Sequence, residues 1–497
     1  MSVKDQPTRT ESPWQGIRER GRRVLATPQF NYKVIMSVTA ILVLIGLTMV
    51  LSSSMVTSID SDTGVFGEFM KQAVVVAAGL VGMWFFLRIT PSTVRNLSVV
   101  FLGISVVLLI LVLIPGIGVG GTEVGSNSWI RFAGVGIQPS EVAKFSLAVW
   151  GAAVVAARSR VSNSARFVLN PFFVVAAVIL GLVLLQDDLG MMLSLAAVVA
   201  AMLFFAGVST VALLSVLAVA AVLGVIFSLQ HAFRSARFSS WTETFTLSFN
   251  DATSRGATFQ SRQGILSLSD GGLLGQGLGQ SRAKWLYLPE AANDFVFAIL
   301  GEELGLLGAG LVVILFGVLA WFGIRTATAQ TDPFLRLLAA ALTMGITVQA
   351  FYNMGYVVGL FPMTGVQLPL ISAGGSSAVV TLASLGLLAN IARHEPATVS
   401  SMQHEGRPLI DRILFLPEPE PYRPGQERRE RVREQPKRYG EPVTRRRRPP
   451  PGEPSGAAGE PRYRGEREPL PEPRSSRSTR SSRSTNHTSQ QYNRRRR

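Results

Sequence analysis

The sequence predicts an all-α polytopic membrane protein of ten transmembrane helices, with a large external loop between the seventh and eighth. Three observations predict it. Apolar runs close to the roughly 20 residues that cross a bilayer recur ten times between residues 34 and 392. Charge is segregated: of a net +16, seven Lys/Arg stand against three Asp/Glu over 1–33 and 25 against 14 over 393–497, which leaves the apolar middle nearly neutral. The basic residues of the short connections fall on one side of the predicted bundle.

The spans are expected at 34–53, 67–87, 97–115, 138–157, 167–186, 188–207, 209–229, 295–323, 335–361 and 368–392. Several contain Gly or Pro, which membrane helices tolerate. The polar segment before the first run is too long and too charged for a cleaved signal peptide, so that run reads as a retained signal-anchor. Arg88 and Arg95, then Arg158, Arg160 and Arg166, then Arg325 and Arg336 share a side with both basic ends. The opposite connections 54–66 and 362–367 carry no Lys or Arg, and 116–137 carries only Arg131. Both termini are therefore expected in the cytoplasm and loop 230–294 outside. That loop interleaves glycines with Ile265, Leu266, Leu268, Leu273, Leu274 and Leu278, which argues for packing on the membrane surface rather than disorder.

The last stretch, 393–497, is rich in Pro, Ser and Arg and reads as a disordered cytoplasmic tail. LIDRILFLP at 409–417 is its exception, a short membrane-surface or partner-binding helix or a loose tether. The arginines suit cytoplasmic partners or anionic lipid; without base-stacking residues among them, no nucleic-acid partner is expected.

Absence of cysteine excludes disulfides, thiolate metal sites and cysteine nucleophiles. Four scattered histidines argue against a histidine metal site or a Ser-His-Asp triad. No P-loop or dinucleotide fingerprint is present, and GQGLGQ at 275–280 reads as tight turns.

Chemistry-bearing residues collect at the external ends of the spans. QPSEVAK at 138–144 starts with Gln138 and places Glu141 and Lys144 three apart on one helix face, able to pair. QDDLG at 186–190 offers Asp187 and Asp188 at an external turn. Glu290 and Asp294 stand at the entrance to the eighth span, with Glu302 and Glu303 two turns further in. The tenth span opens on PLISAGGSS, bringing Ser372, Ser376 and Ser377. Each has a plainer role: Asp294 as a helix cap, Glu141 and Lys144 as a structural pair, the serines and glycines as close packing. From the residues alone, an enzyme and a transporter remain equally open.

At these motifs the chain resembles the SEDS family (shape, elongation, division and sporulation proteins), in its FtsW cell-division branch and actinobacterial form. The strings that carry the resemblance are QPSEVAK; QDDLG; GGLLGQGLGQSRAKWLYLPEAANDFVFAILGEELG at 271–305; and NMGYVVGLFPMTGVQLPLISAGGSS at 353–377. The resemblance implies a GT-C-like fold in the cytoplasmic membrane at the division septum. It implies a peptidoglycan glycosyltransferase that polymerises lipid II on the outer face, beside a class B penicillin-binding protein and other division proteins. It maps the polymerising aspartate onto Asp294 and the motif's Glu and Lys onto Glu141 and Lys144. External cations Arg131, Arg262, Arg282 and Lys284 are candidates to stabilise the pyrophosphate leaving group. No cofactor is identified; a bound divalent cation could take that role. A lipid II flippase and a division scaffold acting through the tail are the alternatives. The chain departs from the family pattern where Asp187 replaces a proline, where Arg131 follows Trp129 rather than preceding it, at Ala292-Asn293 and at Ala373.

Overall fold

The computed structural model describes residues 27–60, 66–120, 126–132, 135–162, 164–211, 213–215, 217–218, 232–246, 257–282, 284 and 293–419. The expected spans become α1 (Phe30–Asp60), α2 (Gly67–Arg88), α4 (Ser98–Val112), α5 (Pro139–Ser159), α6 (Ala165–Leu184), α7 (Leu189–Phe205), α10 (Val296–Ala329), α11 (Pro333–Val357) and α12 (Gly375–Arg393), with a short α3 (Pro91–Asn96) between α2 and α4. Seven of these are long and apolar enough to cross a membrane; α4 and α7 are shorter apolar helices of 15 and 17 residues. The run expected at 209–229 lies largely outside the described residues. The tenth span begins later than expected, because 368–374 form an irregular segment ahead of α12.

The helices sort by burial. In α5, α11 and α12, 83%, 78% and 72% of the apolar window is buried, against 28–33% in α2, α6 and α10. The first three therefore form the centre, and the others turn Leu80, Val81, Val174, Val178, Leu311 and Ile314 outward, as a surface solvated by lipid does.

Two connections expected outside carry structure that the span pattern did not predict. A three-stranded antiparallel sheet joins β1 (Gly118–Val119), β2 (Trp129–Phe132) and β3 (Val135–Ile137), with Gly118 opposite Ile130 and Arg131 opposite Gly136. Loop 230–294 contains α8 (Ala232–Phe245) and α9 (Ala257–Asp270), and Leu268 of α9 packs against the core.

Helix α10 is broken at Gly305, which takes φ 68°, ψ −170°. The break strips the N–H groups of Leu306 and Leu307 and the carbonyls of Glu302 and Glu303 of their helical partners. The glycine-rich turn after α9 replaces all four. Leu306 donates to Gly272 O at 2.9 Å and Leu307 to Leu273 O at 3.3 Å, while Gln276 and Gly277 donate to Glu302 O and Glu303 O at 2.9 and 3.0 Å. A buried backbone break is stable only when each polar group is re-paired. The turn's glycines thus serve backbone approach rather than a nucleotide.

At the other end of the bundle, Asn390 donates to Phe86 O and Ile89 O at 2.8 and 2.7 Å, and Gln330 to Ile391 O at 2.8 Å. The first part of the tail expected to be disordered from residue 393 is instead folded. Segment 394–419 carries α13 (Pro396–Glu405) and α14 (Leu409–Ile413) and is held to the bundle. Gln29 donates its backbone N–H to Thr398 Oγ1, Asn31 bonds Glu395, and Arg393 pairs with Asp411 at 2.7 Å. A few buried polar contacts order a segment whose composition alone would not. The remainder of the tail, 420–497, lies outside the described residues.

Candidate active site

Asp294 lies one residue ahead of the cap of α10. The cap position itself falls on Phe295, whose side chain has no group to cap with. The Asp294 backbone is clamped from α11: Asn353 Nδ2 and Tyr356 OH donate to Asp294 O at 3.0 and 2.9 Å. Asn353 Nδ2 also donates to Val366 O at 2.7 Å, and the single Tyr356 proton is shared between Asp294 O and Val366 O, each 2.9 Å from the hydroxyl. One pair of side chains thereby ties the loop ahead of α10 to the loop ahead of α12. Gly365 brings that second loop against the carboxylate: a Cβ there would stand 3.3 Å from Asp294 Oδ2, and its φ of 77° disfavours any side chain.

Asp294 opens into a cavity of about 440 Å³ whose walls include Glu68, Trp129, Arg131, Asn293, Gln367 and Ala373. A second hollow of about 530 Å³ shares Glu68, Gly136, Asn293, Ala373 and Gly375 with it and adds Lys71, Gln72, Met70 and Val74 from α2. Lys71 and Glu68 pair at 2.6 Å. The cavity therefore combines two carboxylates and two cations, and its second hollow continues along α2, whose Met70 and Val74 are exposed. The walls come from the start of α2, the start of the expected tenth span and three connections that the charge pattern expects outside.

Behind it sits a buried polar cluster. Glu141 and Lys144 pair at 2.6 Å with side chains 1% and 7% exposed. Gln349 of α11 reaches both: its Nε2 donates to Glu141 Oε1 at 3.1 Å, and its Oε1 accepts from Lys144 Nζ. Ser377 donates to Glu141 Oε1 at 3.0 Å, and Gln349 also donates to the backbone of Gln367, whose side chain lines the cavity. At the start of α5, the Gln138 backbone N–H donates to Ser376 Oγ at 2.8 Å and its side chain to Asp188 Oδ2 at 3.0 Å. Asp188 caps α7 through Met191 N at 3.0 Å. Residues as far apart in sequence as Gln138 and Ser376, 238 positions, are thus one network, and it holds the 365–377 segment against Asp294. In that network Glu141 and Lys144 act as supports for the cavity.

Other expected site residues lie elsewhere. Lys284 is 4% exposed and spent on structure: it pairs with Glu303 at 3.2 Å and donates to Gly279 O at 2.6 Å. It is corrected from a pyrophosphate ligand to a buried counterion. Arg282 gives its backbone N–H to Glu302 Oε1 at 2.7 Å and leaves its side chain exposed, outside the cavity walls. Glu302 and Glu303 are structural, held by Ser281 Oγ at 2.6 Å and Ser52 Oγ at 2.6 Å. Glu290 lies outside the described residues. Asp187, where the family pattern has proline, takes φ 64°, a value a pyrrolidine ring cannot reach.

Sequence reasoning missed Glu68, Lys71, Gln349, Asn353, Tyr356 and Gln367. Gln349, Asn353 and Tyr356 follow i, i+4, i+7 spacing inside an apolar span, and that polar stripe is a readable signal. Among the described residues no group of three or more His, Asp or Glu gathers to hold a metal. Glu68 and Asp294 supply two carboxylates at one cavity, the donor number with which Mg²⁺ binds beside substrate phosphates.

Comparison with known proteins agrees with this architecture. The family description for FtsW/RodA/SpoVE cell cycle proteins matches residues 32–397. The chain is 43% identical over 400 residues to the probable peptidoglycan glycosyltransferase FtsW of Mycobacterium tuberculosis, covering 80% of this chain and 75% of that one. It is 34% identical over 365 residues to the protein of the same description from Geobacter metallireducens, covering 73% and 95%. Among solved structures, one from a peptidoglycan synthase complex that coordinates polymerization and crosslinking superposes with a TM-score of 0.58 at 23% identity, over 73% of this chain and 97% of that one. That likeness concerns the fold.

Proposed function

The chain belongs to the FtsW/RodA/SpoVE family of cell cycle proteins, and from that premise we infer that it is a multi-pass membrane peptidoglycan glycosyltransferase whose reaction centre is the Asp294 cavity. The observation that carries the assignment to this cavity is the clamping of Asp294 by Asn353 and Tyr356 at a polar hollow that continues along the exposed face of α2. Its substrate is lipid II, a disaccharide-pentapeptide on a polyprenyl pyrophosphate. Asp294 takes the proton from the 4-hydroxyl of the acceptor sugar. The new bond forms from that oxygen to the anomeric carbon of the donor as the bond to the pyrophosphate breaks, so one displacement inverts an α-linked donor into a β-linked product. Arg131 and Lys71 supply positive charge where the leaving group develops negative charge.

The cavity faces the outside, both termini are cytoplasmic, and the protein works at the division septum beside a class B penicillin-binding protein that crosslinks its strands. Supporting this are the basic short connections at the end opposite Asp294 and the fold likeness to a chain from a polymerising and crosslinking complex. The test is polymerisation of lipid II by purified protein, alone and with its penicillin-binding partner. Asp294→Asn should lose about 10²–10⁴-fold in rate, the usual contribution of a general base, with an unchanged melting temperature. Polymerisation by Asp294→Asn at the wild-type rate would refute the assignment.

A further inference from the structure

Segment 407–417 has two faces with opposite fates. Asp411 and Leu416 are fully buried. Asp411 accepts from Tyr32 OH at 3.0 Å and from Arg393 Nε and Nη2 at 3.0 and 2.7 Å, which fastens α14 to α1 and to the end of α12. Leu409, Ile410, Ile413 and Phe415, the other face, are 73%, 44%, 63% and 77% exposed. Four large apolar side chains in seven residues are a costly thing to leave in water.

Two further observations say what covers them. Trp84 Nε1 donates to Leu414 O at 2.9 Å. Trp84 sits near the end of α2, one turn before Arg88, whose guanidinium lies 5.5 Å from the indole centroid. Leu80, Val81 and Phe85 on the same stretch of α2 are exposed, as lipid-facing residues are. The bond therefore places the segment against the lipid-facing flank of the bundle where α2 leaves the bilayer, and indole and guanidinium groups mark that boundary. Phe415 also adopts φ 52°, an unfavourable backbone for a bulky side chain. That kink lets Leu416 turn inward, closing on Asp411 O at 2.9 Å, while Phe415 stays out. Arg412, also exposed, stands among the four apolar groups.

We propose that residues 407–417 form an interfacial strap: Leu409, Ile410, Ile413 and Phe415 lie in the headgroup-to-acyl boundary of the leaflet at the end of the bundle opposite Asp294, continuing the lipid-facing surface of α2. The occupant of this face is the bilayer the protein itself spans. Amphipathic segments with an apolar face and a flanking arginine bind this way. The strap rests on the family assignment only for membrane residence; it is independent of what Asp294 does.

The chain contains no cysteine, so Phe415→Cys and Ile413→Cys each create a unique attachment point for an environment-sensitive fluorophore. The full-length protein is placed in nanodiscs of mixed phosphatidylglycerol and phosphatidylcholine, with or without a fraction of lipid spin-labelled near the headgroup. Both positions should emit blue-shifted light, lose most of their intensity with the spin-labelled lipid and resist aqueous iodide. Quenching by iodide and not by lipid overturns the proposal, because the face then lies in water. Resistance to both also overturns it, because protein then covers the face. Two labelled positions guard against one substitution disturbing the strap, and lipid II polymerisation by both labelled proteins reports that the bundle is intact.

Discussion

Removing the charge of Lys144 should destabilise the whole bundle, and the size of the effect follows from its surroundings. Lys144→Met keeps the length of the side chain and deletes its ammonium. Glu141, 1% exposed, then keeps a carboxylate with hydrogen bonds only from Ser377 and Gln349. Breaking a buried pair by removing one partner costs about 3–5 kcal/mol. Removing both charges restores most of it, since well-packed neutral replacements of a buried pair are often close to neutral. The double variant Glu141→Gln/Lys144→Met should therefore be more stable than Lys144→Met, with a coupling energy of about 1–3 kcal/mol. Thermal unfolding of all four proteins in one detergent, followed through tryptophan emission, closes the cycle. Additive single effects, or a Lys144→Met protein as stable as wild type, would refute the reading of this pair as a support. Activity gives a second check: because the network holds the 365–377 loop against Asp294, the double variant should fold yet polymerise more slowly.

Other predictions concern backbone and pH. Gly305→Ala adds a Cβ 2.4 Å from Gly275 N at φ 68°, ψ −170°, and should cost more than the roughly 1–3 kcal/mol of that glycine-only backbone region alone; a melting temperature within error of wild type would contradict the break. Asp187→Pro cannot hold φ 64° and removes the N–H that bonds Leu184 O, so it should lower thermal stability, whereas Asp187→Asn should not; equal melting temperatures would show that the turn adopts another form. Burial pulls the His394 imidazole down to about 4 from its usual 6.5, outweighing its hydrogen bond to Asn390 O. The unfolded chain therefore takes up a proton below pH 6.5 that the folded one refuses until about pH 4. Stability contributed by neutral His394 is present above that window and declines as pH falls through it, by at most about 1.4 kcal/mol per pH unit. Burial raises the neighbouring Glu395, and that group contributes in the opposite sense. The comparison is thus wild type against His394→Gln with Glu395 intact; the variant's melting profile should be flatter between pH 4 and 6.5, and parallel profiles would remove His394 from the account.

Hydropathy made most of the spans and the polar connections between them legible, because those depend on the solvent each residue meets rather than on its neighbour. Asp294 stood out for the same reason, as a carboxylate at a boundary where one is costly. The sequence could not say which partner each polar group would find. Lys284 looked like an external cation until Glu303 and Ser52 closed around it. Gln349, which the sequence reading passed over, bridges Glu141 and Lys144 from 208 and 205 residues away. Arg393 and Asp411 turned the first part of a disordered-looking tail into a strap. Composition and periodicity determine which face of a helix is turned inward; only packing the helices together determines what it meets there. In an apolar interior that meeting decides whether a charge supports the fold, serves the reaction or cannot be held at all.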